Sequence, residues 1–412
     1  MTLAKDLFKK IDGYRDFIID LQTQMTACPA ITPHEEGGLG ESAKAEVLLK
    51  ALKAMKFDEI KVIDIKDPKS PTGVRPNIIA KYYGENRQKT LWVMAHMDIV
   101  PPGDLSLWKT DPYKVVVKGD KIYGRGVEDN QQGLVSGLLV AKAMMESGVR
   151  PPVNYALLLI SDEETGSQYG IAPIMKKYGK LFGKEDTFLV PDSGNPAGDM
   201  VEIAEKNMLW LKITTTGKQT HASTPNNGNN AFVASSHLIV ALRELYKKFP
   251  KKDRLFGDVP YSVFEPTKKE ANVPNVNTIP GSDVFYLDSR VLPCYTNEEV
   301  LKEIGKIVKT IEKKFKVSIK VDVLINEKSK PTDKKSDIVK LVAQSVKAVY
   351  RNNPSAQGVG GGTVASFLRN AGYPAVVYSK LDETMHQPNE NSSIKNTMGD
   401  AKVFTLVALN LK

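Results

Sequence analysis

Three adjacent acids, Asp162, Glu163 and Glu164, stand at the end of the apolar run Tyr155–Ile160 in "YALLLISDEETGSQ". Carboxylates crowded at the mouth of a buried strand repel one another and lose water, so they call for a positive charge close by. Other chemistry-bearing residues share this geography. In "WVMAHMDIVPPGD", His96 and Asp98 are two apart, which on an extended chain puts them on one face. A carboxylate there can accept the proton of one ring nitrogen of His96, fix its tautomer and make the other nitrogen a better metal ligand. Asp129 lies in "YGRGVEDNQQG", a glycine-punctuated loop before a helical stretch, and Asp192 follows an apolar strand in "FLVPDSG". His386 stands among acids in "LDETMHQPNE". Taken singly, each has an ordinary explanation: a hydrogen-bonded histidine, an N-cap for Asp129, a turn for Asp192. Those explanations leave unexplained why His96, Asp98, Glu163, Glu164 and Asp192 all lie just past apolar strands. In a parallel sheet such ends share one edge, where ligand sites form.

A charge count suggests what the edge holds. With His96, Asp129, Glu164, Asp192 and His386 as ligands and Asp129 bridging, two divalent ions each receive a histidine, a carboxylate of their own, the shared aspartate and a shared water. That is the four-coordination zinc prefers. Three carboxylates and a hydroxide then balance the two cations. Glu163 is left over beside Glu164, placed to take a proton from the bridging water and return it to a leaving amine, which is apparatus for hydrolysing an amide. Cobalt or manganese fits the same donors.

The elements that must position these groups are legible as texture. Apolar and β-branched segments such as "IKVIDI", "NIIAKYYG", "KTLWVMAHMDIV", "YALLLI" and "TFLVPDSG" alternate in part with helical ones such as "NQQGLVSGLLVAKAMMESG". This predicts an α/β domain whose central sheet is mostly parallel and flanked by helices. From about Leu209 the pattern becomes β-α-β-β-α-β: a strand "LWLKITTTGK", a helix, strands "NVNTIPG" and "DVFYLDSRVL", a helix "TNEEVLKEIGKIVKTIEKKF" and a strand "KVSIKVDVLI". That order predicts a small split-βαβ, α+β domain inserted into the first. The expected division is residues 1–208 and 328–412 for the catalytic domain, with 209–327 as the insertion.

Bulk properties bound the alternatives. The 412 residues are 41% apolar and 25% charged, as in ordinary globular proteins. No window approaches the roughly 18 apolar residues of a membrane span. The N-terminal 25 residues alternate apolar and charged positions at helical spacing and lack a signal peptide's apolar centre. Two cysteines, Cys28 and Cys294, make no disulfide framework and suit a reducing cytoplasm. The net charge of +9 invites nucleic acid, yet the lysines sit among glutamates or in turns and no aromatic-interleaved motif accompanies them. No nucleic-acid or membrane partner is expected.

The order H-x-D after a strand, G-R-G-x-x-D-x-x-x-G, strand then D-E-E, D-S-G and a late histidine resembles one family of co-catalytic zinc hydrolases. Its members include succinyl-diaminopimelate desuccinylase, acetylornithine deacetylase, aminoacylase, carboxypeptidase G and the carnosinase-like dipeptidases. The resemblance covers essentially the whole chain. It implies that His96 and Asp192 hold one metal, Glu164 and His386 the other, and Asp129 both, with Glu163 as general base and Asp98 as partner of His96. It also implies a zinc-exopeptidase-like catalytic domain and a ferredoxin-like insertion that forms a homodimer. By the same likeness the insertion sends a histidine into the neighbouring subunit's active site, and His221, in "TGKQTHASTP", matches that position and polarises a substrate carbonyl there, while Asn277, Arg290, Gly362 and Thr363 bind substrate. A turn asparagine, a structural ion pair and a tight turn are the alternatives for the last four. A non-proline cis peptide is implied between Asp129 and Asn130. The implied reaction is cleavage of the amide of an N-acyl amino acid or a short peptide with a free carboxylate. A dipeptidase or carboxypeptidase on the same site, or a non-catalytic metal-binding relative, are the competing functions.

Overall fold

The computed structural model describes residues 2–412. The chain divides into two compact units, one of Met1–Ile203, Thr332–Gln357 and Thr363–Lys412, the other of Ala204–Pro331 and Gly358–Gly362.

The first unit is built on an eight-stranded sheet. Its four central strands, Val153–Ile160, Asn86–His96, Thr187–Gly194 and Ala375–Ser379, are adjacent in that order and parallel. Antiparallel strands extend it: Val74–Tyr82 and Glu59–Lys66 beyond Val153–Ile160, and Met200–Glu205 beyond Ala375–Ser379. The strand Ser355–Val359 lies outermost.

Every residue of Val153–Ile160 is buried, as a parallel strand covered on both faces requires. On one face Trp92, Met94, Leu158, Ile160, Phe188, Val190 and Val377 pack with Ile171, Ile174 and Leu368 of two short helices. The other face meets the helix Gln131–Glu146. There Gly137 lies so close that a Cβ would stand 3.0 Å from Val93 and 3.1 Å from Leu157, and its carbonyl accepts from the Tyr155 hydroxyl at 2.8 Å. A glycine at this helix position lets the helix settle onto the sheet.

The N-terminal stretch, expected as one helix, is two, Thr2–Asp12 and Arg15–Thr26. The break is at Gly13, a residue costly inside a helix. Both cysteines are free, and no helix among the described residues is long and apolar enough to cross a membrane.

In the second unit the strands Val263–Lys269, Ser282–Val291, Asn207–Thr216 and Ser318–Glu327 form a four-stranded antiparallel sheet in that order. Burial alternates along Asn207–Thr216 and Ser282–Val291, and the buried face packs against the helices Ala231–Leu242 and Asn297–Phe315. A capping box at Thr296 and Glu299 starts the second helix. One expected strand is displaced. "NVNTIPG" supplies only Thr278–Ile279, paired with Thr220–His221 in a separate two-stranded ribbon. The four-stranded sheet takes Val263–Lys269 instead, an edge strand whose Pro266 hides it from a strand search and whose register slips beside that proline.

Candidate active site

The sheet register pairs His96 with Ile160, so the strand bearing His96 ends level with the strand that leads into the acid turn. Buried His96 points Nε2 at Asp129 Oδ1, 2.9 Å away, and Asp192 Oδ1, 3.3 Å away. Its Nδ1 lies 3.0 Å from the main-chain carbonyl of Asp98 and 3.5 Å from that residue's carboxylate. The carbonyl therefore fixes the ring, while the Asp98 carboxylate accepts from the amides of Glu163 at 3.1 Å and Glu164 at 3.0 Å. His386 enters from the other side, its Nε2 3.1 Å from Asp129 Oδ2 and 3.2 Å from Glu164. Asp129 thus offers one carboxylate oxygen to each histidine. Its side chain does not cap the following helix, whose N-cap position is Asn130.

Two loops carry Asp129 and His386, and each is held by a buried carboxylate from the other. Glu390 accepts from the amides of Gly126, Glu128 and Asp129 at 2.9 to 3.0 Å and pairs with Arg125 at 2.7 Å. Glu128 in return accepts from the amides of Asp382 and Thr384 and from the Thr384 hydroxyl at 2.5 to 2.8 Å. The strand Asn391–Ser393 pairs with Lys121–Tyr123, which sets the two loops side by side. The Asp129–Asn130 peptide is cis, as the resemblance implied. The Asn130 side-chain amide donates to Asp192 and, at 2.7 Å, to the carbonyl of Pro191.

The electrostatics are those of a negative site. Burial, then Asp192, pushes the Glu163 carboxyl well above its ordinary range, and burial with Asp129 beside it brings Glu164 up to about 7. Hydrogen bonds to Asp129 and Glu164 raise His386 to about 10. Burial opposes a charge on His96, but Asp192 and Asp129 outweigh it and hold its pKa high. For Asp129 burial is again outweighed, by the two histidines, and its pKa is lowered. Without a metal, protons on the imidazoles supply the positive charge the carboxylates need. The donors fit divalent ions. His96, Glu163 and Asp192 form one group with ligand atoms all within 4.8 Å, and His96, Asp129 and Glu164 form another. Imidazole nitrogens with carboxylate oxygens suit zinc, cobalt or manganese.

The structure therefore brings together His96, Asp98, Asp129, Glu163, Glu164, Asp192 and His386 in the first unit. It separates the third acid from them: Asp162 faces Arg75 at 3.5 Å. Sequence inspection passed over Glu390, Glu128, Arg75 and Glu41. Only the first two carried any signal, each lying beside a motif residue. Thr363, also in the first unit, accepts from the Ala365 amide at 3.1 Å in a turn.

The remaining sequence candidates lie in the second unit. His221 and Asn277 meet on the two-stranded ribbon, where the Ala222 amide donates to the Asn277 carbonyl at 2.8 Å. The Ser223 amide donates to His221 Nδ1 at 3.2 Å, which in the neutral ring leaves the proton on exposed Nε2. Arg290 is already engaged. Asp288 takes its fork at 2.8 and 3.1 Å, and the Gly360 carbonyl accepts a third bond at 3.0 Å. Gly362 lies where a Cβ would stand 3.1 Å from Met208 Cε.

The profile of Peptidase family M20/M25/M40 matches residues 92–410, a span that contains the whole cluster. The chain belongs to this family. As an M20/M25/M40 member it is a hydrolase, and its donor cluster is a candidate metal site. It is similar to an uncharacterised metallohydrolase of Methanocaldococcus jannaschii, 40% identical over 407 residues that cover 94% of this chain and 97% of that protein. Succinyl-diaminopimelate desuccinylase of Pelagibacter ubique is 26% identical over 394 residues, 95% of this chain and 98% of that one. Among solved structures the di-peptidase Dug1p of Saccharomyces cerevisiae superposes with a TM-score of 0.76 at 18% identity, over 99% of this chain and 98% of its own, a likeness of fold.

Proposed function

We propose that this family member is a two-zinc hydrolase that cleaves the amide of an N-acyl amino acid bearing a free carboxylate. The observation that carries the metal assignment is Asp129, whose two oxygens face His96 at 2.9 Å and His386 at 3.1 Å. A carboxylate so divided would serve both ions of a bound pair. His96 with Asp192 and His386 with Glu164 would complete the two ligand sets. Bound metals supply an acidified water and a Lewis acid for the carbonyl oxygen. The chain does the rest. Glu163, half-buried with its pKa raised, accepts a proton at its carboxylate and delivers it to the leaving nitrogen. In the proposed dimer His221, with its proton on Nε2, serves the partner subunit's site, where it donates to the developing oxyanion. Arg290 receives the substrate carboxylate as that group takes over from Asp288, and Asn277, Gly362 and Thr363 are the further candidates for binding substrate. The full-length likeness to a desuccinylase favours an acyl substrate over a dipeptide. The second unit acts as the dimerisation domain.

Glu163→Gln decides the central role. It should keep about two metal ions per chain and lose turnover by ~10²–10⁴-fold. Loss of one ion in that variant would make Glu163 a ligand, as its closeness to His96 and Asp192 allows, and wild-type turnover would remove the mechanism. Substrate class is read from a panel of N-succinyl and N-acetyl amino acids and dipeptides, with metal content measured alongside. Dipeptide turnover alone would replace the deacylase reading with a dipeptidase, and no turnover by fully metallated protein would overturn both.

A further inference from the structure

Asp162 stands where the buried strand Val153–Ile160 gives way to the acid turn, and its backbone is left-handed, with φ +64°. A non-glycine residue persists there only where its surroundings dictate it. They do so from every side. The Asp162 amide donates to Glu41 Oε1 at 3.2 Å, and its carboxylate accepts from the Thr165 hydroxyl and, at 3.0 Å, from the Tyr169 amide. Arg75, fully buried, is the hub. Glu41 accepts from its Nε and Nη2, while Asp67 and Asp162 each lie 3.5 Å from the guanidinium. Lys44 lies one helical turn beyond Glu41, is 1% exposed, and its Nζ has no hydrogen-bond partner. The charge of this second buried cation bears on Asp98 first and on Glu41 next.

The left-handed residue turns the next two amides toward Asp98, and the Glu163 and Glu164 side chains emerge with them. We propose that Arg75 and Glu41 are positioning residues, a buried ion pair that locks Asp162 and so aims Glu163 and Glu164 at the metal site. The inference rests on the roles assigned above to those two glutamates. Neither partner touches the reacting atoms.

The test uses full-length protein stripped by chelation and titrated with cobalt(II), followed by its visible absorption. Glu41→Gln keeps an acceptor for the Asp162 amide but removes the charge, and Arg75→Lys keeps the charge but removes the fork. Each should weaken one of two cobalt sites by ~10–100-fold, change the band intensity, and lower kcat while KM moves less than about twofold. Circular dichroism and melting separate this from unfolding. If both variants fail to fold, Asp162→Asn, which tolerates the left-handed backbone, is judged by the same readings. A folded variant with wild-type cobalt titration and kcat would overturn the proposal, since a purely structural pair changes Tm alone. Glu163→Gln runs in parallel. If it binds cobalt and is inactive, the functional reading stands and any failure belongs to this inference, whereas full activity in it removes the reading itself.

Discussion

Asp129 has two imidazole neighbours, each at a different one of its oxygens, and its chemistry follows from that. One oxygen meets His96 and the other His386, so two imidazoles compete for protons over a single carboxylate. The consequence is measurable. In chelated protein, the hydrogen bonds to Asp129 and Glu164 put the His386 pKa at about 10, so at pH 7 its ring carries a proton that an arriving metal must displace. The sign follows directly. Raising pH from 6 to 8 helps to remove that proton, so zinc affinity should rise, by about tenfold per pH unit for each proton released. Calorimetry in buffers of different ionisation enthalpy counts the protons. Affinity independent of pH would show that the site is already deprotonated. The same proton stabilises the chelated fold below about pH 6.5, and that contribution fades as pH climbs through about 10.

At the scale of elements, strand ends locate the site but do not shape it. Its shape comes from two loops far apart in sequence, each tied down by a carboxylate of the other. Glu390, itself buried, satisfies three amides of the Asp129 loop and the buried Arg125 guanidinium. Glu390→Ala would strand those donors and leave an unpaired buried cation, a loss of about 3–5 kcal/mol in stability. Chemical denaturation of the chelated protein measures it. The variant should also bind zinc more weakly, because Asp129 is no longer held. A loss under about 1 kcal/mol would mean that water or another group replaces the carboxylate.

Over the whole molecule, charge is unevenly shared. The second unit holds 21 of the 57 Lys and Arg but only 14 of the 48 Asp and Glu, and so carries most of the net charge of +9. Its helix Ala231–Leu242 also leaves Phe232, Val233 and Val240 exposed at 44%, 42% and 70%. An apolar helix face on a positively charged body predicts an unusual dimer. Two such units attract through the apolar face and repel through their charge, so added salt should tighten association rather than loosen it. Sedimentation velocity at low and high ionic strength tests this. Val240→Asp should shift the equilibrium toward monomer by about tenfold or more, as expected for burying an unpaired charge. A protein monomeric at every salt concentration would remove the proposed dimer.

Periodicity and residue type carried a large part of this in the sequence alone. Buried strands are written in runs such as "YALLLI", and histidines and acids stand just past them because a parallel sheet puts all those ends on one edge. That is why the convergence of His96, Glu164 and Asp192 was legible in the sequence, whereas Asp129 and His386, on loops, were candidates by residue type and charge count. The tertiary structure decided what identical neighbours do. Nothing in "DEE" says that Asp162 turns away to Arg75, since three adjacent carboxylates differ only in the backbone angles that follow each one. Nor could local pattern show that the Asp98 carboxylate serves two amides, that Glu390 reaches back some 260 residues to the Asp129 loop, or that an edge strand interrupted by Pro266 displaces "NVNTIPG". Local sequence encodes which face of an element is apolar. Which distant polar group meets a given amide depends on how the elements close over one another, and that is set only when the chain is folded.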